Sequence, residues 1–281
     1  MTSPVTPSSG QASEEAVPGE KTMRWGWWYF AESQIRLMRQ YLVTIVVSAI
    51  GQPLLLLWVM GVGLGALIGA NTGNVGGVPY LQFIAPALLA STALMSATSE
   101  FTYAIMGQFK WNKTYFGAAS TSLSPTQIMV GQVLNGVVRF LAQAVLVLIV
   151  FSFFGVFTSG WAVLQVFTAV VGGLSMGTLI GGYVSGLEQD RGQIAAMDRF
   201  IIMPMFLFSG TFYPLAQLPG LLQWLGWLSP QWHAAQLGRV LSYGAAEPLW
   251  LTVTHVLYLL SLCAVGLAWM RKNYVRRLGE Q

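Results

Sequence analysis

Charge is absent from most of this chain. No Asp, Glu, Lys or Arg occurs between Arg39 and Glu100, a single one (Arg139) between Lys113 and Glu188, and none between Glu247 and Arg271. Soluble domains carry roughly 25% charged residues, whereas here the share is 9% against 54% apolar. Each bare run holds one or more stretches of about 20 residues, the length at which a helix crosses a bilayer. The fold class that follows is an all-α integral membrane protein.

Nearly every Lys and Arg falls in one of four clusters: residues 21–39, Lys110 with Lys113, Arg191 with Arg199, and residues 271–277. Cytoplasmic loops carry an excess of these side chains, so the net charge of +4 is a topology signal, and no nucleic acid partner is expected. All four clusters and both termini are expected in the cytoplasm. The single cysteine, Cys263, leaves no disulfide framework and no cysteine metal site; packing is its expected role.

Residues 1–22 are rich in Ser, Pro, Thr and Glu and lack the apolar core of a signal peptide. They read as an uncleaved, disordered cytoplasmic tail. From residue 23 to 40, Trp25, Trp28, Phe30, Ile35 and Leu37 mix with Arg24, Glu32, Arg36 and Arg39, which suits an amphipathic helix among the lipid headgroups; an aromatic anchor for the first span is the plainer reading. Spans are expected at residues 42–68, 80–106, 128–157, 161–187, 194–213 and 249–270, with a short tail at 275–281. Gly61, Gly65 and Gly69, and again Gly173, Gly177 and Gly181, recur every four residues. That spacing permits close helix approach, within one chain or between two.

Two loops stand out. GQFKWNKTYFGAASTSLSP is polar, basic and aromatic together, a composition that suits a soluble partner or the headgroups. LEQDRGQIAAMDR holds the densest mixed charge in the chain and requires water or a protein partner. Residues 206–241, FLFSGTFYPLAQLPGLLQWLGWLSPQWHAAQLGRVL, carry no charge before Arg239 but are interrupted by Pro214, Pro219 and Pro230. Proline removes a backbone donor and clashes with the preceding turn, and lipid cannot satisfy the groups set free. A seventh crossing here would also put residues 271–277 outside, against the charge bias. Six crossings are therefore expected, with residues 214–241 dipping in from the outer side as re-entrant helices and Trp224, Trp227 and Trp232 at the outer interface.

MPMFLFSGTFYPLAQLP, followed by QWLGWLSPQWHAAQLGRVL, resembles the ABC-2 type exporter permeases, in particular the nodulation protein J-like branch, and the similarity runs from about Trp25 to Tyr274. The resemblance implies a six-span subunit of the cytoplasmic (inner) membrane, an amphipathic connecting helix before the first span, and a coupling helix between the second and third. It also implies a dimer, with a second copy or a related permease, that forms the conduit, and separate ABC ATPase subunits that bind ATP and magnesium. No cofactor is expected on this chain itself: none of Lys21, Lys110, Lys113 and Lys272 follows the glycine frame of a phosphate-binding loop.

Candidate contacts to the ATPase are Lys110, Trp111, Lys113, Tyr115 and Phe116, since aromatic residues concentrate interface energy. Glu32, Arg36, Glu188, Asp190 and Arg191 are further candidates, for which a solvated face is the plainer reading. Glu100 and Arg139 are ionisable residues within apolar spans and so functional suspects: a salt bridge linking the coupling loop to the pathway, a structural pair, or, for Arg139, a contact to an anionic headgroup. Phe208, Phe212 and Tyr213 are candidates to line the conduit because they lead into the proline break. His233 and His255 have no acidic partner at helical spacing and read as hydrogen-bonded packing. The expected function is the permease subunit of an ATP-driven exporter of an amphipathic or lipid-linked substrate, such as a lipo-oligosaccharide, a glycolipid or a hydrophobic drug. A secondary carrier would show broken helices near the midplane in both halves. A lipid-modifying enzyme would need clustered His, Asp or Glu facing one surface, where the outer segments offer only His233, Arg239 and Glu247. No catalytic or metal site is assigned.

Overall fold

The computed structural model describes residues 18–71 and 73–279; the expected tail up to residue 17, and residues 280 and 281, lie outside the described residues. The chain is helical, and among the described residues no strand forms beyond an isolated Val75–Val78 bridge. Its helices are α1 (Pro18–Met38), α2 (Val43–Asn71), α3 (Tyr80–Lys110), α4 (Thr114–Ala119), α5 (Pro125–Ser152), α6 (Gly160–Gly186), α7 (residues 193–208), α8 (Gly220–Leu228), α9 (Pro230–Tyr243) and α10 (Leu249–Gly279). Five of them, α2, α3, α5, α6 and α10, are long and apolar enough to cross a membrane.

Several expected boundaries move; the span expected to reach residue 157, for one, ends at Ser152. The first helix begins at Pro18, inside the expected tail. The last runs unbroken to Gly279, because nothing in residues 271–279 interrupts it. The helix expected at 194–213 stops at Phe208, where Gly210 takes φ 69, a conformation that costs glycine little; residues 209–213 are a turn. The prolines act as expected. Pro219 precedes α8, and Pro230 occupies the first turn of α9, where its missing donor costs nothing. Ser124 and Gln127 cap the start of α5 reciprocally, beside Pro125.

The bundle has a centre and a rim. Over their most apolar eighteen residues, 72% of α3 and 61% of α6 is buried, against 24% in α2, 33% in α5 and 17% in α10. Lipid is as apolar as leucine, so burial of greasy side chains does not drive these helices together; close packing does. A Cβ on Gly173 would lie 3.0 Å from Ala93, and one on Gly177 or Gly181 would meet Phe101 at 2.9 or 2.8 Å. The α6 glycine stripe is therefore the seat of α3, within one chain. On α2, Gly61 seats Leu81, but a Cβ on Gly69 would meet nothing.

The two ends of the bundle differ. At one, the basic end, α1 packs along α5, Phe30 meets Tyr115, Tyr115 meets Tyr274, and Arg277 donates to the Ser185 and Leu187 carbonyls. At the other, Ser242 accepts from the Thr158 and Ser159 amides, and Arg239 of α9 reaches Phe83 of α3. Helix α7 starts beside the loop at the basic end and finishes two residues before Gly210, whose carbonyl Arg239 binds at 2.7 Å. Helix α9 begins beside Leu94 and Met176, well along α3 and α6, and climbs back to Phe83 and Ser242.

Candidate functional site

Helices α2, α3, α5 and α7 enclose a cleft of about 170 Å³. Its polar wall arises from helical spacing. Thr92, Ser96 and Ser99 recur at four and three residues on α3, Arg139 and Gln143 at four on α5, and Gln52 faces them from α2. Ser96 donates to Gln143. The Thr92 and Ser99 hydroxyls donate to carbonyls three residues back, at 2.8 and 3.0 Å, which lets a helix carry them at low cost.

Glu100, at the foot of this wall, pairs with Arg139 at 2.5 Å. The carboxylate also accepts from Asn135 (2.9 Å) and Gln132 (3.4 Å), and Gln108 donates to Gln132 at 3.2 Å. A buried carboxylate needs such donors to remain charged. The result is a thread of side chains from the cleft, through Arg139, Glu100 and Gln132, to Gln108, next to the basic-end loop. Arg139 keeps 22% of its side chain open, and its Nε, itself buried, meets no acceptor. Gln132, Asn135 and Gln143 had a visible signal: with Arg139 they fall at intervals of three and four along one face of an apolar span.

At the basic end, Tyr115 is not available to a partner. It is fully buried in an aromatic cluster with Phe109 (4.7 Å between ring centres), Tyr274 (5.2 Å) and Phe30 (6.0 Å), and Arg277 lies 3.9 Å over the Phe109 ring. Burial pushes its phenol well above the usual value. The sequence marks Tyr115 as an aromatic in a polar loop; the fold turns it inward because α4 must be pinned to α1, α3 and α10. Phe116 is half-buried against Phe109. Of the candidate residues in this loop, Lys110, Lys113, held at φ 52, and Trp111, 61% open, are exposed. Elsewhere at this end, Arg36 and Glu32 pair with each other at 2.6 Å in solvent. Glu188 and Arg191 are exposed, whereas Asp190 accepts from the Gly192 and Ile194 amides, at 2.9 and 3.3 Å, and so caps α7.

Phe208, Phe212 and Tyr213 do not line the cleft; Phe206 does. Two residues along a helix are about 200° apart, so Phe208 turns away, and Phe212 packs edge-on to Phe206 at 5.5 Å. Tyr213 donates to the Leu207 carbonyl at 3.0 Å in the turn beyond α7. A cluster at the far end is new: His233 Nδ1 lies 2.7 Å from His255 Nδ1, and His255 Nε2 lies 3.2 Å from Glu247. The acidic partner is eight residues before His255, ahead of the start of α10, a separation that helical spacing does not flag.

A family model described as ABC-2 type transporter matches residues 26–243. Nodulation protein J of Sinorhizobium fredii is 26% identical over 216 residues, covering 76% of this chain and 80% of that protein. Its counterpart from Rhizobium leguminosarum bv. viciae is 26% identical over 236 residues, 82% and 88% of the two chains. The inner membrane transport permease YadH of Escherichia coli K12 is 29% identical over 201 residues, 69% and 73%. The match takes in the cleft, the Glu100–Arg139 thread, the α4 loop and the proline-broken α8–α9 pair together, and by it this multi-pass membrane protein belongs to the ABC-2 type transporter family.

Proposed function

We propose that the chain is the membrane subunit of an ATP-driven exporter that moves an amphipathic or lipid-linked molecule outward, powered by a separate ABC ATPase that binds ATP and magnesium. The observation that carries this reading is the polar thread from the basic-end loop to the cleft. A motor outside the membrane acts on a substrate within it only through a stiff connection. Lys110, Trp111 and Lys113 present the exposed face of that connection, Tyr115 roots it in the aromatic cluster, and Glu100 and Arg139 end it at the cleft wall.

In this reading the basic end is cytoplasmic. Helix α7 makes the sixth crossing: residues 193–208 rise about 24 Å, and the Ser209–Gly210 turn completes the passage. Helices α8 and α9 form the re-entrant pair, supported by the start of α9 beside Leu94 and Met176. The open faces of α2 and α7 meet a second permease across the conduit. Within the cleft, the open part of the Arg139 side chain suits an anionic or hydroxyl-rich head, as in a lipo-oligosaccharide or glycolipid, and Phe206 suits an apolar tail. The YadH relative, named as an inner membrane transport permease, agrees with transport across an inner membrane.

The test is co-purification with a co-expressed ABC ATPase, in lipid nanodiscs. Trp111→Ala is expected to weaken association about tenfold or more, the loss typical of an exposed aromatic anchor, while the permease itself stays folded. If no ABC ATPase associates with the wild-type chain, the exporter reading fails.

A further inference from the structure

The hydrogen bonds of His233 fix the position of its proton, and the rest of a buried chain follows. His233 Nε2 lies 2.9 Å from the Trp227 carbonyl; a carbonyl only accepts, so Nε2 carries the hydrogen. Burial lowers the His233 pKa to about 4, so near neutrality its Nδ1 is a bare lone pair. His255 Nδ1, 2.7 Å away, must therefore donate to it. A neutral His255 then has its own lone pair at Nε2, which faces Glu247 Oε1 at 3.2 Å and has no other partner. Two acceptors confront each other there unless a proton lies between them.

The surroundings decide which group holds that proton. The His255 side chain is fully buried and that of Glu247 only 7% exposed, so an ion pair would forfeit the solvation of both charges. The other buried carboxylate, Glu100, is met by three donors, Arg139, Asn135 and Gln132. Glu247 has the Thr252 hydroxyl alone, at 3.2 Å, and burial raises its pKa. We infer that Glu247 is a neutral carboxylic acid that donates to His255 Nε2, making the junction of α9 and α10 a proton-binding site that clasps the two helices.

The other titratable group on the cluster is Tyr258, stacked on His233 at 4.1 Å and donating to the Leu228 carbonyl. Trp232 packs edge-on against both imidazoles at 4.9 Å. Further along α9, Arg239 is directed at Phe83, Gly210 and Gln236, with Tyr243 beyond it. Among the described residues no Lys, Arg or second carboxylate makes a hydrogen bond or ion pair with the cluster.

The two ends of the chain oppose each other in their pH dependence. Glu247 has a raised pKa, so its contribution is full below the ordinary value of 4.5 and is lost as pH rises through the folded value. His233 has a lowered one, so its contribution is full above 6.5 and is lost as pH falls towards about 4. The acid limb of the clasp thus belongs to His233 and its alkaline limb to Glu247. That it faces the outside rests on the exporter reading; the proton site does not.

The experiment is infrared spectroscopy of the purified permease in nanodiscs, paired with thermal melting. At about pH 7 the wild type should show a protonated-carboxyl band that fades on alkalinisation and is missing in Glu247→Gln. Melting of the wild type should fall on the alkaline side, while Glu247→Gln, whose amide donates permanently, stays flat there. Absence of the band in the wild type, or its persistence in Glu247→Gln, overturns the proposal. Should that variant not fold, Thr252→Val serves: losing one donor to the carboxyl must shift the band, and an unmoved band is equally fatal.

Discussion

Glu100 accepts from three side chains, whereas Arg139 has one acceptor and a buried Nε with none. Removing either partner has unequal cost. Arg139→Met leaves the buried carboxylate with two neutral donors and no counter-charge, and is expected to cost about 3–5 kcal/mol of stability, the usual loss when a buried ion pair is broken from one side. Glu100→Gln strands a guanidinium that keeps 22% of its side chain open, and is expected to cost about 1–3 kcal/mol. Thermal unfolding in nanodiscs checks the order, and the reverse order would refute this account of the pair. Much of this site is legible in sequence, because two ionisable residues within apolar runs are conspicuous and the spacing of Gln132, Asn135, Arg139 and Gln143 puts them on one face. Tyr115 and the Glu247–His255 contact were not legible. The first depends on which side of a short helix is pinned, and the second joins a residue ahead of a helix to one inside it.

Pairs of helices show the same division between pattern and contact. The α6 glycine stripe announces itself by its spacing, but Gly266 of α10 has no such repeat. A Cβ there would fall 2.3 Å from the Thr178 hydroxyl and 2.6 Å from the Thr178 backbone carbon. Backbone cannot swing aside, so Gly266→Ala must push α10 off α6, at about 1–3 kcal/mol by the usual cost of overpacking. Gly69→Ala is the control: a Cβ there meets nothing, and the change should leave the melting temperature unaltered. Equal losses in the two variants would show that the α6–α10 contact is not the tight one. The proline-broken stretch is the reverse case, since Pro219 and Pro230 set the limits of α8 and α9 in sequence and in structure alike, each proline dictating its own backbone.

At the scale of the whole molecule, α3 and α6 form a packed centre, while α2 and α7 stand at the rim beside the cleft. Hydrogen exchange tracks local packing, so amides of α2 and α7 should exchange faster than those of α3 and α6 in nanodiscs, and uniform protection would contradict this division. Both α2 and α7 also contain wide turns, over Leu57–Leu64 and Asp198–Ile202. Such a turn amounts to one surplus residue wound into the coil. It behaves as a dislocation does in a crystal: if it migrates, every residue it passes advances by one place, about 100° and 1.5 Å, with few hydrogen bonds open at any moment. The walls of the cleft thus carry a built-in means of changing which side chains they present while the helices on which they rest stay whole.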